Sequence, residues 1–206
     1  VFDPGDPTEG ADLAAHLVIQ TEALAWMAEV LGRSNDATTW RRRSESQLAA
    51  LLTQQTKEHR FFSPLNGERD APLTHSLLNY IPIELGHRLP PEILRALVED
   101  LSPGGPFLTD YGPATEAPES PKYQPDGYWR GPIWAPSTYL IFDGLVDAGE
   151  TELARTIAER FCAMCARDNG FWENYDALTG EGLRCPGYSW TAAAFVLMAS
   201  WLAERA

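Results

Sequence analysis

The chain is short of positive charge, of cysteine and of long apolar runs, and each shortage closes off a class of function. Sixteen lysines and arginines stand against 29 aspartates and glutamates, a formal charge of -13. Such a field repels polyanions and anionic headgroups, so nucleic-acid and membrane-surface partners are not expected, and neutral or cationic ligands are favoured. There is no stretch of about 18 apolar residues to span a bilayer. The opening Val1-Phe2-Asp3-Pro4-Gly5-Asp6-Pro7 lacks the basic and apolar regions of a secretory signal. A soluble, cytoplasmic chain is the expectation.

Three cysteines are too few for a disulfide framework and suit a reducing compartment. Cys162 and Cys165 form a Cys-x-x-Cys pair, but it lies in the apolar helical run from Leu153 to Ala166, and Cys185 alone cannot complete a zinc site. The pair reads as core. His16, His59, His75 and His87 show no metal-ligand spacing, and the chain has no phosphate-binding glycine loop or nucleophile elbow. No metal or cofactor is expected. Hydrolysis by paired carboxylates remains.

What the chain does have is helical periodicity. It holds 206 residues, 44% of them hydrophobic and 11% aromatic, enough for a substantial core. Between Ala11 and Leu31 the residues Leu13, Leu17, Leu24, Met27, Val30 and Leu31 recur at helical intervals and predict one amphipathic helix, with Gly32 as its stop. Ser34-Asn35-Asp36 supplies caps for a second helix whose buried face is Trp40, Leu48, Leu51 and Leu52, with Arg41, Arg42 and Arg43 in solvent. Further helices are predicted from Leu73 to Ile83, from Pro90-Pro91-Glu92 onward, and over Ser137–Asp147, Glu150–Arg167 and Ser189–Arg205, with no convincing strand. That makes about seven helices paired as hairpins. Residues 102–132, with seven prolines, form a long irregular segment. Its aromatics favour a functional loop over a linker.

Two segments carry candidate chemistry. In Tyr128-Trp129-Arg130-Gly131-Pro132-Ile133-Trp134, aromatic faces can stack on sugar C–H faces, and the guanidinium fork can hydrogen-bond hydroxyls or a carboxylate. Composition alone leaves open whether this loop is a site or packing. In Gly170-Phe171-Trp172-Glu173-Asn174-Tyr175-Asp176, continued by Glu181 and by Tyr188-Ser189-Trp190-Thr191, carboxylates sit among rings in a glycine-punctuated loop. Asp176 and Glu181 read as turn residues. Glu173, flanked by Trp172 and Tyr175, is the better candidate for a working carboxylate.

The strings YQPDGYWRGPIWAPSTYLIFDGL (123–145) and GFWENYDALTGEGLRCPGYSWT (170–191) resemble the C-terminal half of the glycoside hydrolase family 63 catalytic domain and its relatives. That group includes α-glucosidases and mannosylglycerate and glucosylglycerate hydrolases and, more distantly, trehalases. The segment from Asp12 to Trp40 resembles the helix pair that precedes these motifs in bacterial members. The resemblance implies an (α/α)6 toroid of which residues 1–206 are the C-terminal part, with 102–132 a substrate-side loop. It implies inverting hydrolysis of an α-glycosidic bond, with Glu173 as general base. Tyr128, Trp129, Arg130, Gly131 and Trp134 fall on the sugar-binding wall, and Trp172, Tyr175 and Trp190 on the pocket lining. The family's general acid, in a Ser-Gly-x-Asp-Asn-Ser-Pro-like segment, is missing here, and neither Asp3 nor Asp6 stands in that context. The implied partners are a small carbohydrate and the N-terminal portion of the same enzyme, or self-association that covers the open faces. The alternatives are a non-catalytic helical carbohydrate-binding protein or inactive remnant, and a toroidal lyase or unsaturated-uronyl hydrolase.

Overall fold

The computed structural model describes residues 8–64, 75–167 and 170–205. Its helices are α1 (Ala11–Val30), α2 (Ser34–Leu51), a 3-10 segment (Leu77–Arg88), α3 (Pro91–Leu101), α4 (Ala135–Asp147), α5 (Thr151–Ala166) and α6 (Ser189–Ala203). Asp3, Asp6 and the predicted helix start at Leu73 lie outside the described residues. One element corrects the strand-free expectation: β1 (Asn174–Tyr175) and β2 (Gly182–Leu183) form a two-residue antiparallel ladder. Packing follows an arc in which α2 lies on α1, α1 on the 3-10 segment, that segment on α4, and α4 on α5 and α6. This is the order of a partial toroid.

Helix α1 starts after the extended Gly10, carries Asp12 in its first turn where the helix dipole favours an acid, and stops at Gly32 with φ 69°. Its buried stripe is Ala11, Ala15, Val18, Thr21, Ala25 and Ala28. The large residues expected to face inward turn out instead. Leu13, Met27, Val30 and Leu31 are half or more exposed, as is Trp26. The physical reason is spacing: small side chains let α1 approach α2 and the 3-10 segment closely. Polar atoms in that seam are satisfied, with the Thr21 hydroxyl against Gln47 (3.0 Å) and the Ser44 hydroxyl donating to the Val18 carbonyl (3.2 Å). In α2 the residue at the N-cap is Arg33, whose side chain pairs with Asp36 (2.6 Å), so the expected side-chain cap is replaced by an ion pair. Arg41, Arg42 and Arg43 are exposed, as their reading as a wet face predicts.

Large exposed apolar residues are concentrated on two helices of the arc. Of the ten such side chains among the described residues, five lie on α1 and its C-cap, and Trp190, Val196 and Leu197 lie on α6. Helix α6 is apolar nearly all round but buries only Thr191, Ala194 and Met198, the pattern of a helix meant to be covered on several sides.

The centre of the arc is the 3-10 segment. Pro82 removes a backbone donor and Gly86, at φ 54° and ψ -126°, breaks the run, so a tighter, kinked form replaces the predicted α-helix. It is buried from Leu77 through Leu85 apart from Leu78 and Glu84. Its Tyr80 hydroxyl donates to Asp100 (2.6 Å), which also accepts from Arg60 (2.6 Å), tying α3 to the core. Helix α5 contributes Ile157, Phe161, Met164 and Cys165 to the core. Burial pushes the Cys162 thiol up to about 11 and Cys165 to about 12, as the core reading of the pair requires.

Helix α4 approaches the 3-10 segment at Gly144, where a Cβ would collide with the Ile83 carbonyl. Helix propensity alone predicts that Gly144→Ala stabilises by up to about 1 kcal/mol. Close packing predicts the opposite sign, a loss of about 1–3 kcal/mol. Denaturant unfolding of the variant decides between them, and a raised midpoint would contradict the packing described here.

Candidate functional site

The two candidate segments meet through their backbones. The Ile133 N–H donates to the Tyr175 carbonyl (2.7 Å) and the Tyr175 N–H to the Ile133 carbonyl (3.0 Å), a reciprocal antiparallel bridge. On the first segment, Gln124 N–H donates to the Arg130 carbonyl (2.7 Å) and Arg130 N–H to the Gly127 carbonyl (3.1 Å), closing a tight loop. Gly131 N–H donates to the Thr115 hydroxyl (3.1 Å), which itself donates to the Pro132 carbonyl (2.8 Å). Tyr128 sits at φ 60°, a left-handed conformation that costs a non-glycine residue energy and is held by its surroundings. The holding bond comes from the Trp134 indole N–H, which donates to the Tyr128 carbonyl (2.8 Å).

Around that loop the rings form a continuous array. Trp129 stacks on Trp134 with centroids 4.1 Å apart and planes within 10°. Tyr128 meets Trp134 edge-on at 4.8 Å, Trp134 leads to Trp190 at 5.7 Å, and Trp190 to Tyr188 at 4.5 Å. Such pairs contribute about 0.5–1.5 kcal/mol each beyond burial. The array fixes the wall's orientation.

Glu173 stands at the far end of the array. Its N–H donates to the Cys185 carbonyl (2.8 Å), and its carbonyl accepts from the Trp190 indole (3.4 Å). Its carboxylate is half-buried, with no hydrogen bond or ion pair among the described residues. The Tyr188 hydroxyl has a raised pKa through desolvation and then through the Glu173 charge, so that charge reaches the ring array. Next to it, Asn174 is fully buried and neither amide atom has a partner among the described residues. An unsatisfied buried amide costs about 1–3 kcal/mol, the kind of strain found at functional sites.

The other site residues fall into two groups. Tyr128, Trp129 and Arg130 are partly exposed, and Trp190 more so. Trp134 and Tyr175 are buried to 0% and 1% exposure, so their rings offer no surface and act by holding neighbours. Trp134 supports Trp129, and the Tyr175 hydroxyl accepts from the Trp172 N–H (3.1 Å). The Trp172 ring lies over Gly182, where a Cβ would occupy the ring's place, and its carbonyl accepts from the Thr191 hydroxyl (2.7 Å). Asp176 accepts the N–H groups of Leu178 (2.8 Å) and Thr179 (2.9 Å), the turn role its sequence context predicts.

Two residues went unread in the sequence. Arg184, at φ 67°, lays its guanidinium 5.2 Å from the Tyr128 ring and pairs with Asp126 (2.6 Å), strapping the second loop to the first. Asp12 shares a cavity with Trp129. Neither had a local signal, because each acquires its neighbours only through contacts distant in sequence. Among the described residues, no helix is long and apolar enough to cross a membrane, and no cluster of three or more histidine, cysteine or acidic side chains is placed to hold a metal.

Comparison with known proteins shows the family of the chain. Residues 3–191 match the sequence model of the mannosylglycerate hydrolase MGH1-like glycoside hydrolase domain. The chain is 28% identical over 203 residues to mannosylglycerate hydrolase MGH1 of Selaginella moellendorffii, covering 95% of this chain and 40% of that protein. It is 33% identical over 173 residues to the glucosylglycerate hydrolase of Mycolicibacterium hassiacum, covering 81% and 37%. The solved GH63 mannosylglycerate hydrolase of Thermus thermophilus in complex with Tris superimposes with a TM-score of 0.80 at 24% identity, over 94% of this chain and 45% of that one. The chain thus spans less than half the length of these relatives.

Proposed function

The chain belongs to the mannosylglycerate hydrolase MGH1-like glycoside hydrolase family, and on that premise we propose that it carries the base-bearing part of an inverting α-glycosidase. The observation that supports this most is the Glu173 carboxylate: half-buried, unpaired among the described residues, and at the end of the Trp129-Trp134-Trp190 array. A carboxylate without a competing cation keeps its lone pairs for a water proton.

In the proposed reaction Glu173 takes a proton from water as the water oxygen bonds to the anomeric carbon. The bond from that carbon to the aglycone oxygen breaks, and a carboxylic acid on the opposite face protonates the departing oxygen. The two carboxyls of such a pair stand about 6.5–9.5 Å apart, leaving room for the water and inverting the anomeric configuration. That acid comes from a segment outside these 206 residues. The Tyr128-Trp129-Arg130 wall holds the sugar, an α-linked mannosyl or glucosyl unit like those in the relatives' names. The free thiols Cys162, Cys165 and Cys185 support a reducing, cytoplasmic setting.

The acid-bearing portion of the ring also has a place to dock. The exposed apolar faces of α1 and α6 are the surfaces that this portion would cover. Addition of that portion in trans is expected to shift the emission of Trp26 and Trp190 to shorter wavelength, and Val196→Glu to weaken the association; emission that stays unchanged on mixing rules out this docking.

For the chemistry, Glu173→Gln in the complete enzyme is expected to lower kcat by about 10²–10⁴-fold with the fold intact, the range a general base supplies. Near-normal turnover on mannosylglycerate and glucosylglycerate would remove the assignment and leave a non-catalytic sugar-binding role.

A further inference from the structure

Among the described residues, the non-glycine positions with a left-handed backbone are His59, Tyr128 and Arg184. Two of them touch: the Arg184 guanidinium carbon lies 5.2 Å from the centroid of the Tyr128 ring. A left-handed conformation costs a non-glycine residue energy, so two such residues meeting from distant parts of the chain mark a contact that the fold maintains against strain.

Arg184 directly follows β2, whose Leu183 pairs with Asn174, the residue after Glu173. From that hairpin its Nη2 donates to the Asp126 carboxylate (2.6 Å) and to the Asp126 carbonyl (3.2 Å). Asp126 and Tyr128 belong to the loop that Gln124, Gly127 and Arg130 close by backbone hydrogen bonds, so the loop moves as one piece. One guanidinium thus holds the tip of the loop and its ring together. A planar, delocalised cation suits this task, since its face lies on an aromatic ring while an edge N–H bonds a carboxylate; an ammonium is a point charge that serves one partner at a time. The Arg184 side chain is 32% exposed and that of Asp126 63%, so the clamp lies at the surface and each contact in it is weak.

Glu173 is held by other means. Its N–H on the Cys185 carbonyl, its own carbonyl on the Trp190 indole and the Ile133–Tyr175 bridge beside it use no side-chain atom of Arg184. We infer that Arg184 is a positioning residue: acting through Tyr128 and Asp126, it sets the Tyr128-Trp129-Arg130 wall against the Glu173 hairpin and so governs how tightly the sugar is held, leaving proton removal from water untouched. The inference rests on the glycosidase reading of the chain and deepens it. Binding and chemistry are then tuned from different residues of one hairpin.

The test compares Arg184→Gly with the wild type in the complete enzyme. Glycine adopts φ 67° freely, so the variant removes the clamp and the strain together and is expected to keep or raise the unfolding midpoint. KM for mannosylglycerate or glucosylglycerate is expected to rise about three- to tenfold with kcat within about twofold of wild type, the signature of binding lost equally from ground and transition states. Arg184→Lys is expected to recover part of the loss. Asp126→Asn is expected to raise KM in the wild type but to add little in Arg184→Gly, because both changes break the same contact. Calorimetric binding of the S-linked analogues of the two substrates, which resist hydrolysis, is expected to weaken by the same factor as KM rises. Unchanged KM and analogue affinity in Arg184→Gly, a fall in kcat as large as the rise in KM, or a marked loss of stability would overturn the inference. Analogue binding weakened by Arg184→Gly in an enzyme that hydrolyses neither substrate would leave the positioning role standing while the hydrolase reading fell, and hydrolysis with wild-type KM in that variant would do the reverse.

Discussion

The reciprocal backbone pair between Ile133 and Tyr175 is the joint on which the candidate site depends. One hydrogen bond of this kind nets only about 0.5–1.5 kcal/mol, but both residues are buried, and breaking the pair would strand four polar groups at about 1–3 kcal/mol each. The cost of parting the two loops therefore far exceeds the gain of any one contact between them. With residue 133 fixed against residue 175, Trp134 enters the core directly after the bridge, and Glu173 stands two residues before Tyr175. The two candidate segments thus share one backbone frame.

The same economy of packing explains the outer surface. Small side chains on α1 draw α2 and the 3-10 segment close, and this choice leaves the larger leucine, methionine and valine residues outside. On α6 the apolar residues outnumber the buried ones. A monomeric surface seldom exposes apolar patches of this extent without a use for them. The proposed docking of an acid-bearing portion would cover these faces of α1 and α6.

Much of this was legible in the sequence, and the remainder had physical reasons for being hidden. Helices α1, α2, α4, α5 and α6 follow from apolar periodicity, and their ends fall within a few residues of the predicted ones. The 3-10 segment reads as an α-helix because Pro82 and Gly86 interrupt a run that is buried on almost every side. For α1 the periodicity identifies the helix but misidentifies its buried face, since a stripe of alanines competes with a stripe of larger residues and only the spacing to neighbours decides. At the site, a glutamate among aromatic rings marks the second loop from composition alone. The burial of Trp134 and Tyr175, the strap from Arg184 to Asp126 and the cavity shared by Asp12 and Trp129 are products of distant pairing. No local pattern encodes them.

The proposed transfer of a proton from the attacking water to Glu173 is open to small-anion rescue. In the complete enzyme, Glu173→Ala removes the base, and azide, which needs no deprotonation, can take the place of water in the space left behind. Azide is expected to restore consumption of an α-glycoside, with NMR showing a glycosyl azide of the opposite anomeric configuration. Hydrolysis that persists in the variant without azide, a variant that azide leaves inert, or a glycosyl azide of retained configuration would contradict it.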